Sequence, residues 1–200
     1  MSPHLLTDGI ILRKIKRSQH RKQILPLVLF AIFFWLSIML NRPQVAQILS
    51  ILALIWYLRI ALGFRLHPKI PLPEPDTVYV PANGKVTALK TSGDLTQITI
   101  HKKFSDRVDI RCPKTGALWD SDDLVLNNPR MRISFAGKHL IRLPEAKMRT
   151  GEVIAYMPGK ATCTIRLPAN IPCALKVGSI CESGESRITL PGNSMDIIDN

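Results

Sequence analysis

Ile24–Leu40 reads ILPLVLFAIFFWLSIML, a run of 17 residues without a charge. As a helix it reaches roughly 25 Å, near the lower limit for crossing a bilayer. A second run, Val45–Phe64 (VAQILSILALIWYLRIALGF), follows Asn41, Arg42, Pro43 and Gln44 and carries only Arg59 as a charge. That residue lies close enough to the end for its guanidinium to reach the headgroups. Asn41 and the Arg42–Pro43 step discourage helix continuation, so the two runs predict a helical hairpin. Trp35, Trp56 and Tyr57 are residue types that favour the headgroup region. The competing reading of the same pattern is a pair of helices buried in a soluble core.

Working outward, Arg13, Lys14, Lys16, Arg17, Arg21 and Lys22 precede the first run, whereas the connection between the runs has only Arg42. This asymmetry predicts a cytoplasmic N-terminus. Two spans return the chain to the same side, where Arg65 and Lys69 add positive charge, so everything from about residue 70 onward is expected there as well. A basic cluster beside a span is explained by topology and attraction to anionic lipid, and no nucleic-acid partner is expected. A secretory signal peptide is not expected, because the run starts late, is long, and is followed by a second. The whole chain, 200 residues with a formal charge of +12, 46% apolar residues and a mean hydropathy of +0.11, suits one modest domain plus a lipid-embedded part. Cys112, Cys163, Cys173 and Cys181 form no CxxC pair and have no histidine at zinc spacing, which predicts free thiols and no metal.

Pro68–Pro81 (PKIPLPEPDTVYVP) is a proline-rich connector that cannot be helical. The organisation read from the sequence is thus a basic cytoplasmic tail (1–23), a two-span membrane hairpin (24–64), a connector (65–81) and a β-rich domain (82–200). In that domain GKVTAL, LTQITI, RVDIRC, RMRISF, HLIRL, GEVIAYM, TCTIRL, CALKVG and SRITL are short β-branched segments between turn signals, with no long amphipathic helix. They predict an all-β sandwich or partly open barrel. Asp120, Ser121, Asp122 and Asp123 match no cation-loop spacing and read as a solvated acidic turn.

Several landmarks of this domain stand in one order. Phe64, Arg65, His67 and Pro68 resemble a Phe-Arg-Asp-Pro segment, and Val80-Pro-Ala-Asn-Gly-Lys-Val86 resembles Ser-Pro-Ala-Asp-Gly-Lys-Val. Asp106–Gly116 (DRVDIRCPKTG) is similar to Asp-Val-His-Val-Asn-Arg-Ala-Pro-Val-Ser-Gly, and Lys176-Val177-Gly178 through Ser183-Gly184-Glu185 is like Lys-Val-Gly-x-x-Val-x-x-Gly-Glu. Gly151–Pro168 (GEVIAYMPGKATCTIRLP) resembles a segment that holds a Gly-Ser self-cleavage site. Over roughly residues 64 to 190 the chain therefore resembles the short-form phosphatidylserine decarboxylases, self-processing pyruvoyl enzymes of bacterial phospholipid synthesis. The resemblance implies a decarboxylase-like β-fold, sandwich or hybrid-barrel-like, on the bacterial inner membrane.

In that family a serine attacks its own preceding carbonyl, and the resulting pyruvoyl group forms a Schiff base with the substrate amine and acts as electron sink. Here the matching pair is Gly159-Lys160. Lysine has no hydroxyl for the acyl shift, so no pyruvoyl cofactor is expected at Lys160. The family's aspartate falls at Asn83, which cannot carry the charge that supports an imidazolium, and its histidine falls at Val108, which has no proton to exchange. The reading that follows is a non-catalytic, membrane-tethered member binding a lipid headgroup or a partner protein. Arg65, Lys69, Lys85 and Arg111 are its candidate contacts, and an anionic phospholipid, a second copy or a companion membrane protein its candidate partners.

Two alternatives remain at this point. The protein is an active decarboxylase using a displaced nucleophile, for which Ser179 of the Gly178-Ser179 pair is the candidate and His101 or His139 the replacement base. Or it is a lipoyl-like hybrid-barrel adaptor, with Lys160 compared to a modified lysine.

Overall fold

The computed structural model describes residues 4–40, 43–75, 77–126, 131–144 and 146–189. Asn41 and Arg42, on which the expected hairpin turn rests, lie outside the described residues. Helix α1 spans Gly9–Met39 and is capped by Asp8, whose side chain accepts from the Ile10 amide at 2.8 Å. It runs 31 residues, about 46 Å. The boundary expected at residue 24 therefore has no counterpart in the backbone: the basic segment from Gly9 is helical and continuous with the apolar run, through Pro26.

Helix α2 (Pro43–Gly63) opens on a proline, which suits a first turn whose amide has no partner. Its small residues Ala46, Ser50 and Ala53 are buried and let it approach α1, where Gln23 and Pro26 are buried. The Ser50 hydroxyl returns its proton to the Ala46 carbonyl at 2.9 Å, so it needs no partner across the pair. Lys22 stands 5.3 Å over the Phe64 ring, so the end of α2 lies beside the middle of α1 and the helices are antiparallel. Outward-facing Ile48, Leu52, Ile55, Leu58, Leu27 and Phe34 are exposed. Both helices are long and apolar enough to cross a membrane.

Among the other described residues every strand pairing is antiparallel, as short strands joined by tight turns produce. Strand β1 (His4–Leu6) pairs with β2 (Lys69–Pro71), which lies in the extended connector. The main sheet comprises β3 (Gly84–Ser92), β4 (Leu95–Lys102), β6 (Leu118–Asp120), β7 (Asp123–Val125), β8 (Arg132–Ala136), β11 (Ala161–Pro168) and β12 (Ile180–Cys181). Its order is β12-β3-β4-β11-β8-β7-β6. A second sheet joins β5 (Asp109–Arg111), β10 (Val153–Tyr156) and β9 (Ile141–Arg142) in the order β5-β10-β9.

Alternation does the sorting in the main sheet. Ile98 and Ile100 on β4, Ile133 and Phe135 on β8, and Cys163, Ile165 and Leu167 on β11 turn to one core. Strand β10 is buried throughout: Ile154 and Ala155 join that core, while Val153 and Tyr156 face a second cluster with Ile11 and Ile15 of α1, Phe64 and Val108. The helices are thus docked on the β-domain through an apolar seam.

Two expected strands differ. Within CALKVG and SRITL the described residues make only single bridges, Cys173 to Thr189 and Tyr79 to Arg187, because Lys176–Ser179 closes a turn instead of extending a ladder. The hairpin β6–β7 was hidden by its acidic turn, whose tip Ser121 has φ 50°. That turn is ion-paired: Arg132 reaches Asp120 at 3.1 Å and Asp123 at 3.3 Å, and Arg142 reaches Asp122. No group of metal-ligating residues occurs among the described residues.

Candidate functional site

Asn83, on the loop before β3, meets β5 and the turn after β12. Its Nδ2 donates to Ser183 Oγ at 3.0 Å, and its Oδ1 accepts the Ser183 amide at 3.1 Å. Ser183 Oγ donates in turn to Asp109 Oδ2 at 2.9 Å, which also accepts Arg111 Nε at 2.8 Å. Asp109 and Arg111 are two apart on a strand, so both side chains leave one face. Arg111 spends its remaining donors on the carbonyls of Gly151, at 2.7 Å, and His67. All four side chains are buried. Gly184 makes this possible, since its φ is +72° and a Cβ there would stand 2.7 Å from Arg111 Cδ.

This placement corrects the expectation for Arg111 as a surface contact. It is fully buried because Asp109 needs a countercharge away from water, and the guanidinium fork ties the connector, β5 and Gly151 in the turn before β10 together. Asp109 and Ser183 were missed in the sequence. The legible signal was an acidic and a basic residue at i and i+2 in an otherwise apolar strand.

Val108 precedes this pair and points to the other side. It is wholly buried in the seam with Ile11, Ile15, Phe64, Val153 and Tyr156, and its carbonyl accepts the Met157 amide at 2.8 Å. Beyond Met157 the chain turns through Gly159-Lys160 into β11. The structure thus gathers the Asn83 loop, Val108 and the segment before Gly159 around β5. Lys160 itself is exposed.

Lys102 is another residue the sequence did not single out. Its side chain is 1% exposed, and its Nζ donates to the carbonyls of Gly159 at 3.0 Å, Asp106 at 3.2 Å and Lys103 at 3.3 Å. Three carbonyls satisfy the three protons of an ammonium and pin the 159 turn to the 103–106 loop. Desolvation lowers its pKa, opposed by the charges of Asp106 and Asp109.

In front of the Asn83 network opens a cleft of about 420 Å³. Arg65, Lys85 and Lys103 supply exposed positive charge to its walls, Gly178 and Ile180 form one rim, and Arg107 and Glu182 another. Arg107 is taken up by Glu182 at 3.5 Å and Glu185 at 3.6 Å. No side-chain acid pairs with Arg65, Lys85 or Lys103 among the described residues. Arg65 lies two residues beyond α2, and Arg59 stacks 5.0 Å over Phe104 of the 103–106 loop. A Cβ at Gly63 would meet that ring at 2.7 Å, so the loop rests directly on the helix end. The cleft consequently opens where α2 ends.

Of the other expected contacts, Lys85 and Arg65 share the cleft, while Lys69 stands exposed on β2 and does not line it. Ser179 is half-buried in a turn whose backbone bonds to Val86 and Lys176. His101 and His139 are exposed. The four cysteines are free. Burial pushes the Cys112 thiol up to about 12 and Cys181 up to about 11, and raises Cys163 and Cys173 too. No family model, no curated protein and no solved structure matches the chain.

Proposed function

We propose that the protein is a non-catalytic, phosphatidylserine decarboxylase-like module that inserts its helical pair into the bacterial inner membrane and holds an anionic lipid headgroup in the cleft at the end of α2. The observation carrying this reading is the trio Arg65, Lys85 and Lys103, three cations with no acidic side-chain partner among the described residues, at a cleft beside the exit of an apolar helix. Phosphate and carboxylate oxygens fit such a cluster through charge-assisted hydrogen bonds. The asymmetry of Arg and Lys around the first helix favours a cytoplasmic domain, with both termini on that side.

Chemistry within the chain supports the non-catalytic half of the reading. Lys160 has no hydroxyl, Val108 is a packing residue, and Asn83 is committed at both ends of its amide to Ser183. The displaced nucleophile Ser179 lies in a turn whose backbone bonds to Val86 and Lys176, and cleavage there would cut the turn that holds β12 to β3. A lipoyl-type lysine occupies the tip of a hairpin between paired strands, whereas Lys160 lies on a crossover between β10 and β11, which belong to different sheets.

Two measurements test the proposal. Native mass spectrometry of the detergent-solubilised full chain is expected to retain phosphatidylserine or phosphatidylglycerol over phosphatidylcholine. The triple variant Arg65→Gln, Lys85→Gln, Lys103→Gln is expected to lose that preference at least tenfold; equal retention by both proteins overturns headgroup binding. Intact mass before and after a carbonyl-reactive hydrazide is expected to give one unreactive chain. Two fragments with a carbonyl at the new N-terminus would establish the pyruvoyl enzyme instead.

A further inference from the structure

The rim of the cleft carries an apolar feature that lipid binding by cations does not require. Val177 is 61% exposed and Ile180 is 80% exposed, the most exposed large apolar side chain among the described residues of the β-domain. Val177 lies in the turn Lys176–Ser179, Ile180 opens β12 directly after it, and Ile180 lines the cleft together with Arg65. The turn is firmly held: Ser179 N–H donates to Lys176 O at 3.1 Å, Gly178 N–H to Val86 O at 2.8 Å, and Val86 N–H to Ser179 O at 2.9 Å. The two apolar side chains therefore project from a rigid edge, since β12 is the terminal strand of the main sheet.

We infer that this turn and the start of β12 form a membrane-inserting wedge, Val177 and Ile180 entering the interfacial region of the leaflet from which α2 emerges. The inference rests on the membrane reading above and deepens it, because it places the mouth of the cleft on the lipid surface so that a headgroup enters sideways from the leaflet. Three observations select a bilayer as the occupant. The cleft that Ile180 borders is also bordered by Arg65, two residues from the end of α2, so the wedge stands beside the point where the apolar helix ends. Exposed Lys176 and Lys85 flank it, Lys85 being the register partner of Ile180. An apolar tip ringed by cations matches the acyl boundary and the anionic headgroups above it. Of the carboxylates that line the cleft, Glu182 is engaged by Arg107 and Asp106 accepts the Lys103 amide at 2.6 Å, so both have partners of their own.

The test uses the full chain reconstituted in vesicles of phosphatidylcholine and phosphatidylglycerol, with Cys173→Ser to remove the half-buried thiol; Cys112, Cys163 and Cys181 are buried. A single environment-sensitive fluorophore is attached at Ile180→Cys, at Leu118→Cys on the opposite edge strand, or at Leu52→Cys on the outer face of α2. Leu118 is 67% exposed and so controls for apolarity alone. Nitroxide-bearing lipid is expected to quench the label at 180 severalfold more than at 118, approaching the quenching at 52. Quenching at 52 with 180 no better than 118 overturns the wedge and leaves the membrane anchor standing. A label at 52 that is not quenched overturns the anchor and the wedge with it.

Discussion

At position 108 the side chain is a packing element. Val108 is buried in one cluster with Ile11 and Ile15 of α1, Phe64 just past α2, and Val153 and Tyr156 of β10, so its replacement by histidine puts an imidazole into an apolar cluster. Val108→His is expected to cost roughly 2–4 kcal/mol in urea unfolding. One residue further, Asp109→Ala leaves the Arg111 charge buried and is expected to destabilise by about 3–5 kcal/mol, whereas exposed Lys69→Ala is expected to change stability by less than about 0.5 kcal/mol. The buried titratable groups set an alkaline signature. Cys112 and Cys181 hold their protons up to about 12 and about 11 in the folded chain, against an ordinary value of 9.0. The unfolded chain loses those protons first, so this stabilisation is whole below pH 9 and declines as pH rises above it. Lys102 works in the opposite sense. Its folded pKa is lowered from 10.5, the unfolded chain holds the proton longer, and its contribution grows as pH approaches 10.5. Lys102→Met is therefore expected to lose stability more steeply than the parent between pH 9 and 10.5, read by thermal melts at stepped pH.

Among the elements, α1 has two halves with different neighbours. Ile11 and Ile15, four apart, bury one face of its N-terminal half against the β-domain, while the half beyond Pro26 faces α2 or outward. Ile15→Ala is expected to cost about 2–5 kcal/mol and to raise amide exchange over residues 9–20 without changing exchange in the main sheet. Sequence periodicity located the apolar half and most of the ladder strands, because β3, β4, β8 and β11 alternate with period two. It missed β6 and β7, three residues each, whose polar Asp120 and Asp123 are compensated by Arg132 from the neighbouring strand. It also placed strands at CALKVG and SRITL, where β-branched residues serve single bridges and a turn.

For the whole molecule, the helical pair and the β-domain share an apolar seam, which fixes the cleft beside the end of α2. The full chain is expected to stay with membranes through alkaline carbonate washing, and protease added to inside-out vesicles to reach the β-domain; protection of that domain would reverse the topology. The sequence by itself determined the two apolar helices and the β-rich domain behind them, because hydropathy and alternation are local properties. Only the tertiary structure decided which charges are available. Arg111 and Lys102 look like surface cations in the sequence, yet one is locked to Asp109 and the other caps three carbonyls, while Arg65, Lys85 and Lys103 are brought to one cleft from three separate segments. Burial and pairing depend on what the fold stacks above a residue, and no window of sequence contains that.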